Sequence, residues 1–213
     1  MSSLRHLLAE HPTLLLIDSA SMRIQAGLWH QGEVSWQSSE TEAGAGVFAC
    51  VEALLAARGL KIPDVQSYVF CEGPGSVLGI RTTAVALRIW RVLNPAPAYA
   101  YQSLNLVAHA LGQTKINVIA DARRDSWHVL RLGEPLRRVP TAELRGECVM
   151  PEGFRHWTPL PASLARTGYD LAAMLPRLMD ADLFHGSAEP DAFLHEEPSY
   201  VTWTPQIHQA PPR

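Results

Sequence analysis

The sequence lacks the common motifs for phosphate binding, zinc catalysis and nucleophilic catalysis. It contains no G-x-x-x-x-G-K-[ST] or G-x-G-x-x-G phosphate loop, no H-E-x-x-H zinc motif and no G-x-S-x-G nucleophile turn. Its nine histidines include no H-x-x-x-H pair that would place two imidazoles on one face of a helix. P-loop NTPases, zinc hydrolases and serine hydrolases of these types are therefore not indicated. We expect the protein, when isolated, to bind no catalytic metal and to hydrolyse neither peptides nor ATP at an enzymatic rate.

Cysteine is also scarce. The three cysteines, Cys50, Cys71 and Cys148, are widely spaced and form no C-x-x-C pair. An odd number at such spacing predicts neither a disulfide framework nor a thiolate metal site. Two of them, Cys50 and Cys71, stand in apolar stretches, so we expect these thiols to be buried as small hydrophobic groups.

Long apolar runs and a strong net charge are absent as well. The run Leu14–Ile17 ends at Asp18 and is too short for the core of a signal peptide. No stretch approaches the roughly 18 apolar residues that cross a bilayer. The net charge of −3 provides no general attraction to nucleic acid. We expect a cytoplasmic protein that does not bind membranes and that reaches any RNA through a partner.

What is present is the pattern of an α/β protein with a substantial core. Of the 213 residues, 47% are hydrophobic and 18% are charged. Strands alternate with helices over residues 1–113, which predicts a lobe built on a mixed sheet. The predicted elements are a strand at 13–17, a hairpin at 24–29 and 33–37, a helix at 43–58, a strand at 67–71, a helix at 78–93, a strand at 98–101 and a helix at 103–111.

A second, smaller lobe is predicted over residues 114–213. Strands at 116–120 and 126–132 flank the turn Asp121–Asp125, and a helix is predicted at 168–179 despite Pro176. Residues 135–161 offer only short strands and loops. The last thirty residues, rich in proline, indicate loop and an extended tail.

The loop Gly73-Pro-Gly-Ser76 is the most informative segment. Its glycines let the chain turn sharply from a strand into a helix, and Ser76 is a suitable N-cap for that helix. A helix N-terminus of this kind attracts anions through its amide groups and its dipole. We expect any bound anion or nucleotide to contact Gly73, Gly75 and Ser76. The alternative is a tight turn without a ligand.

Asp18 and Ser19 are further candidates for anion or nucleotide binding. They follow the first strand, where a carboxylate and a hydroxyl can hold magnesium or phosphate oxygens. A local turn closed by the aspartate side chain explains the same residues equally well. The turn at Asp121–Asp125 repeats the arrangement, and there the arginines can instead pair with the aspartates on the surface.

In combination these segments resemble the TsaB (YeaZ) family. Its opening I-D-T-S-like turn is similar to Leu16–Ser21, and its A-L-W hairpin strand is similar to Ala26–Trp29. Its G-P-G-S-F-T-G-L/I-R signature is similar to Gly73–Arg81. A V-x-x-x-S-L segment corresponds to Ala100–Leu104, and the I-D-A-R start of a second lobe corresponds to Ile119–Arg123. The similarity extends in order and spacing over residues 13–131.

The resemblance implies a two-lobed actin/Hsp70-like (ribonuclease H-like) fold with mixed sheets. It also implies a non-catalytic subunit of the complex that makes threonylcarbamoyladenosine beside the tRNA anticodon. The implied partners are a TsaD-like catalytic subunit and a TsaE-like ATPase, with a homodimer when the chain is alone and tRNA bound only through the complex. TsaD carries a metal-binding histidine pair on the helix after the hairpin, whereas residues 43–58 contain no histidine.

Two departures from the family pattern bear on nucleotide binding. Val77-Leu78 replaces Phe-Thr, so a hydroxyl that would face a phosphate is missing. The tail reads Pro198-Ser-Tyr-Val-Thr202 where the family has P-x-Y-L-R. We therefore expect no resident cofactor. Any nucleotide binding by this chain should be weak, and we expect the main nucleotide site in the partner.

The partner surface is expected on the first two long helices. Small side chains follow one face of residues 43–58, and Val47, Val51, Leu54 and Leu55 follow another that can pack on the sheet. The interface candidates are Ala45, Ala49, Ala53, Ala86, Ile89, Trp90 and Leu93. The alternative is that the alanines only let the two helices pack on each other.

Two other functions remain open from the sequence. One is a stand-alone ATPase or small-molecule kinase of the actin-like fold, which would need a second phosphate loop and a catalytic carboxylate. The other is a metallopeptidase, for which the sequence offers no ligand set.

Overall fold

The computed structural model describes residues 1–161 and 164–193. Within them, five α-helices and eleven strands form a mixed α/β structure with two sheets. The helices are α1 (Leu4–Glu10), α2 (Ala43–Ala57), α3 (Val77–Leu93), α4 (Ser103–Leu111) and α5 (Leu171–Met174). The strands are β1 (Leu14–Asp18), β2 (Ile24–His30), β3 (Glu33–Ser39), β4 (Ser67–Gly73), β5 (Ala98–Gln102), β6 (Asn117–Asp121), β7 (Ser126–Leu130), β8 (Arg137–Pro140), β9 (Cys148–Pro151), β10 (Leu164–Thr167) and β11 (His185–Gly186).

The first sheet has the strand order β11-β5-β4-β1-β2-β3. Strand β1 pairs parallel with β4 and antiparallel with β2, and the predicted hairpin is formed by β2 and β3. Side chains of β1 alternate between the faces, so Leu15 and Ile17 belong to one hydrophobic cluster and Leu14 and Leu16 to the other. Because both faces are covered, β1 is apolar along its length until Asp18.

Helices α2 and α3 form a layer on one face of this sheet. As predicted, Val47, Val51, Leu54 and Leu55 are buried on the side of α2 that faces the sheet. Ser76 caps α3 by accepting a hydrogen bond from the amide of Gly79, as the sequence predicted. The helix ends at Leu93, and its C-cap Asn94 is extended because the residue before a proline, here Pro95, disfavours the helical conformation.

The other face of the first sheet shares a core with the second sheet, whose order is β10-β9-β6-β7-β8. Residues of α1, α4, β6 and β7 all belong to this one cluster, which includes the fully buried Trp127. The chain then returns to the first sheet, where β11 pairs with the edge strand β5. Strands β1 to β5 of the first sheet precede residue 113 and all strands of the second sheet follow it, but residues 169–193 return to the first sheet.

Two local expectations differ from the structure. Ser103 is the first residue of α4 and not its N-cap, because its hydroxyl donates to the carbonyl of Pro74 instead. The helix expected at 168–179 is reduced to α5 and a 3-10 turn at Leu175–Arg177, since Pro176 has no amide hydrogen to continue α-helical bonding. Helix α1 and strands β10 and β11 lack a periodicity that predicts them. The tail motif at 198–202 lies outside the described residues.

The burial predicted for Cys50 and Cys71 is confirmed. Cys50, Cys71 and Cys148 are buried and unbridged.

None of the helices in the described part of the chain has the length and apolar character needed to cross a membrane.

Candidate functional site

A cavity of about 450 Å³ opens between the glycine loop and the turn that joins β6 to β7. One wall is formed by residues 72–78 together with Ile80 and Arg81. The opposite wall is formed by residues 120–123 and by His128, Phe154, Arg155 and Trp157, and Ala192 and Phe193 complete the lining. The cavity volume lies in the range of small-molecule sites. The sequence candidates Gly73, Gly75 and Ser76 thus lie on its first wall.

The glycine loop is pressed against the turn that follows β1. The amide of Ser76 donates to the carbonyl of Ala20 at 2.7 Å. A Cβ atom on Gly75 would overlap the backbone of Ala20, and one on Gly79 would overlap the carbonyl oxygen of Ser19. These two glycines are therefore required by the close approach of two backbones, which is a structural reason for part of the motif.

We predict that Gly79→Ala destabilises the protein although alanine is the better helix former. The new methyl group would meet a carbonyl oxygen that is fixed by its own strand end, so the free energy of unfolding should fall by about 1–3 kcal/mol. Gly44→Ala is the control, because nothing lies within 4 Å of a Cβ added there. Chemical denaturation of both variants checks this, and equal stabilities would contradict the tight packing.

Asp18 lies at the centre of a buried polar cluster. Its Oδ2 accepts hydrogen bonds from the hydroxyls of Tyr101 at 2.5 Å and Tyr169 at 2.6 Å. Its Oδ1 accepts from the amide of Ala20 at 2.9 Å. Burial raises the pKa of Asp18, and the hydrogen bonds from Tyr101, Tyr169 and Ala20 oppose this rise only in part. The carboxyl group thus joins the first sheet to the segment that contains Tyr169.

The structure places Asp18 and Ser19 away from the cavity. Neither residue lines it, and both are almost fully buried. The Ser19 hydroxyl is hydrogen-bonded to that of Thr83 at 2.7 Å, while Asp18 closes the local turn that was the alternative interpretation. The oxygens of these two side chains are used inside the protein, whereas the loop residues Gly73, Gly75 and Ser76 border open space.

The second wall of the cavity is organised by Asp121. Its carboxylate accepts hydrogen bonds from the amides of Arg123, Trp157 and Thr158 at 2.6–2.7 Å. Burial acts to raise the pKa of Asp121, but the hydrogen bonds from Thr158, Trp157 and Arg123 outweigh it and lower the pKa. The carboxylate therefore fixes the loop that carries Trp157 next to the turn that carries Arg123.

Sequence reasoning did not single out Arg155 and Trp157. The guanidinium carbon of Arg123 lies 3.1 Å from the centroid of the Trp157 ring, and the Trp157 side chain is 57% exposed. No local pattern marks residues 155–157, because their position depends on bonds to Asp121, more than thirty residues earlier. The sequence itself shows only that Arg155 stands two residues before Trp157.

The partner-surface candidates divide into two groups. Ala45, Ala49, Ala53, Ile89 and Leu93 are exposed. Ala86 and Trp90 are buried in the core instead, since they lie on the side of α3 that faces the sheet. The Trp90 ring stacks on Tyr68 and meets Phe48 edge to face.

The exposed side of these helices forms an apolar surface that we call the α2–α3 face. Its exposed apolar side chains are Ala45, Phe48, Ala49, Ala53, Val85, Ile89, Val92 and Leu93, and the charged residues Glu52 and Arg88 of the same helices are exposed as well. Val92 is 84% exposed and Leu93 is 69% exposed. Because Ala45, Ala49 and Ala53 are exposed, these alanines of α2 do not mediate the packing of α2 on α3, whereas Ala86 of α3 is buried in the core that α2 also contacts.

Within residues 1–161 and 164–193, no group of three or more His, Cys, Asp or Glu side chains could hold a metal ion.

The whole arrangement is similar to two solved structures. YeaZ from Pseudomonas aeruginosa superimposes with a TM-score of 0.60 at 19% sequence identity, covering 78% of this chain and 90% of that one. The chain has the YeaZ fold. An uncharacterized protein described as similar to peptidase YEAZ from Pseudomonas aeruginosa superimposes with a TM-score of 0.60 at 20% identity, covering 78% of this chain and 89% of that one.

The YeaZ fold confirms the fold class expected from the sequence, a mixed α/β structure of the actin-like type. The sequence itself matches no protein-family model and no curated protein. At this level of identity the likeness to YeaZ concerns the fold.

Proposed function

We propose that this chain is a TsaB (YeaZ) family protein that acts as the non-catalytic scaffold and activating subunit of a tRNA threonylcarbamoyladenosine modification complex. Its catalytic partner would be TsaD-like, with a TsaE-like ATPase as a further component. The chain would contact tRNA through the complex, and it would form a homodimer when alone.

The observation that carries the proposal is the α2–α3 face. Apolar side chains from two neighbouring helices lie exposed together, and Phe48 joins them by its contact with Trp90. Exposed apolar patches of this kind mark protein–protein contacts, and small residues let a partner helix approach closely. TsaB-like proteins, which this sequence resembles, pair with TsaD and with themselves through the corresponding two helices.

The assignment of a supporting role rests on the residues of α2. In TsaD the corresponding helix carries the metal-binding histidine pair, whereas α2 reads AGAGVFACVEALLAA. Apolar and small residues occupy the positions where an enzyme of this family would hold its metal. The two roles therefore differ in the side chains of the same helix. In the catalytic subunit the helix carries metal ligands, and in its partner it carries a contact surface.

The test is functional replacement in a bacterial strain depleted of its own TsaB. We expect this chain, co-expressed with the TsaD-like protein of its own host, to restore threonylcarbamoyladenosine in tRNA, measured by nucleoside mass spectrometry. It should also capture that TsaD-like protein in a pull-down. Expression of either protein alone is the control.

Capture without restored nucleoside would support the partnership but not the tRNA pathway. Failure of both, with a folded and soluble chain, would contradict the proposed function.

A further inference from the structure

We propose that another cavity, between the β2–β3 hairpin and α5, binds a free α-amino acid, with its carboxylate on Arg23 and its ammonium group on Asp170. This cavity has a volume of about 200 Å³. It is lined by Arg23, Gln25, Trp36, Gln37, Ser38, Asp170 and Ala172. The lining is separate from the α2–α3 face, so the inference does not depend on the proposed partner function.

Two opposite charges lie side by side in this cavity. The nearest nitrogen of Arg23 and oxygen of Asp170 are 3.9 Å apart, which is longer than a hydrogen bond. Both side chains are about half exposed, at 46% and 48%. A simple anion or cation would be attracted by one of these groups and repelled by the other. A zwitterion carries the complement of both charges, so the arrangement favours an amino acid over phosphate or a metal ion.

Asp170 is held in place from both sides. The buried side chain of Gln25 donates a hydrogen bond to the carbonyl of Tyr169 at 3.0 Å and accepts one from the amide of Leu171 at 2.9 Å. The Oδ1 atom of Asp170 accepts from the amide of Ala172 at 3.0 Å, and its Oδ2 atom faces the guanidinium. A ligand therefore meets a carboxylate whose position is already set, and such preorganisation lowers the entropic cost of binding.

The guanidinium of Arg23 is also oriented within the hairpin. Its Nη2 atom donates to the hydroxyl of Ser38 at 3.1 Å, and its Nη1 atom is the one nearest Asp170. A guanidinium carries more N–H donors than these two contacts use. Because guanidinium groups bind carboxylates through paired, charge-assisted hydrogen bonds, Arg23 is suited to the carboxylate of the ligand.

Trp36 gives the cavity an apolar wall for the side chain of the amino acid. Its ring lies over Gly27, where an added Cβ atom would be 2.7 Å from the nearest ring atom. The ring of Trp29 meets it edge to face, with the centroids 5.4 Å apart. These contacts fix the indole before a ligand binds, and apolar contact with it favours an aliphatic side chain.

The size of the cavity limits the ligand. Its volume of about 200 Å³ is several times the roughly 30 Å³ that one water molecule occupies in the liquid. This space fits an amino acid of the size of leucine. It lies below the roughly 300–1,000 Å³ of sites for larger ligands, which disfavours a nucleotide or a long peptide.

The test compares leucine with two analogues that each lack one charge. N-acetyl-leucine has no ammonium group, and leucinamide has no carboxylate. Ligand-observed NMR titration of the full chain should give a Kd of about 1 mM or tighter for leucine. Each analogue should bind at least about tenfold more weakly, because one charged group of the cavity then loses its partner. Equal binding of all three would show apolar contact only and would overturn the proposal, as would the absence of leucine binding.

Two variants assign the charges. Asp170→Asn keeps a good N-cap for α5, but it should weaken leucine binding by about tenfold or more and leave the weaker binding of N-acetyl-leucine unchanged. Arg23→Gln should weaken leucine binding to a similar extent and leave that of leucinamide unchanged. The controls are Arg88→Gln and Asp182→Asn, at exposed positions outside the lining, and both should bind leucine as the unmodified protein does. Unchanged leucine affinity in either folded cavity variant would contradict the assignment and overturn the proposal.

Discussion

Replacing Asp18 with alanine is expected to lower the free energy of unfolding by about 2–4 kcal/mol near neutral pH, the largest stability effect that we predict for a polar side chain here. The substitution leaves the hydroxyls of Tyr101 and Tyr169 without their acceptor, and both are buried. A buried donor without a partner costs about 1–3 kcal/mol. Chemical denaturation measures the change.

The control for this prediction is Asp182→Ala. Asp182 is exposed, so its loss should change the free energy of unfolding by no more than about 0.5 kcal/mol. If Asp18→Ala were equally mild, Asp18 would not be the acceptor that joins Tyr169 to the first sheet. Its assignment as an internal anchor, in place of a ligand-binding residue, would then be contradicted.

The same carboxyl group gives a defined pH dependence. Because burial raises the pKa of Asp18, folding favours its protonated form. This contribution to stability is complete below the ordinary pKa of an aspartate and is lost as the pH rises through the raised pKa. Stability of the unmodified protein relative to Asp18→Asn should therefore decrease as the pH rises above the ordinary aspartate range. Parallel denaturation of the two proteins across pH shows the difference, and a trend of opposite sign would contradict it.

Ala49→Arg combined with Ala53→Glu is expected to weaken binding of the TsaD-like partner by about 100-fold or more. The two alanines are exposed on the α2–α3 face, one helical turn apart. Long charged side chains there would hold a partner helix away and would bury charge in an apolar contact. Thermal stability should change little, because neither side chain packs inside the chain. Calorimetry or a pull-down with the partner, beside a thermal melt, measures both quantities.

A matched control uses exposed alanines elsewhere. Ala9→Arg combined with Ala142→Glu introduces the same two side chains on α1 and on the 3-10 turn before β9. Partner binding should be retained in this control. Loss of binding in both double variants would indicate a general effect of the added charges, and retained binding in the α2 variant would contradict the proposed surface.

Local pattern was sufficient for most elements of the first sheet and its helices. The apolar run before Asp18, the hairpin signal at residues 30–32 and the helical periodicity of 43–58 each depend on neighbours a few residues away. The bounds of these elements were therefore close to those in the structure. Helix α1 and the two-residue strand β11 escaped prediction because they are stabilised by contacts with distant segments and carry little periodicity of their own.

The candidate site shows the same division. The sequence determined the glycine loop, its cap at Ser76, the buried thiols and the small residues along α2, because each follows from residue type and short-range spacing. Only the tertiary structure decided which side each residue faces. In the folded chain Trp90 and Ala86 face the core. The Asp18 carboxylate accepts hydrogen bonds from two tyrosines. Hydrogen bonds to Asp121 hold Trp157 next to Arg123, more than thirty residues away in the chain. Contacts at that separation depend on how the sheets pack, and short-range sequence patterns do not reveal them.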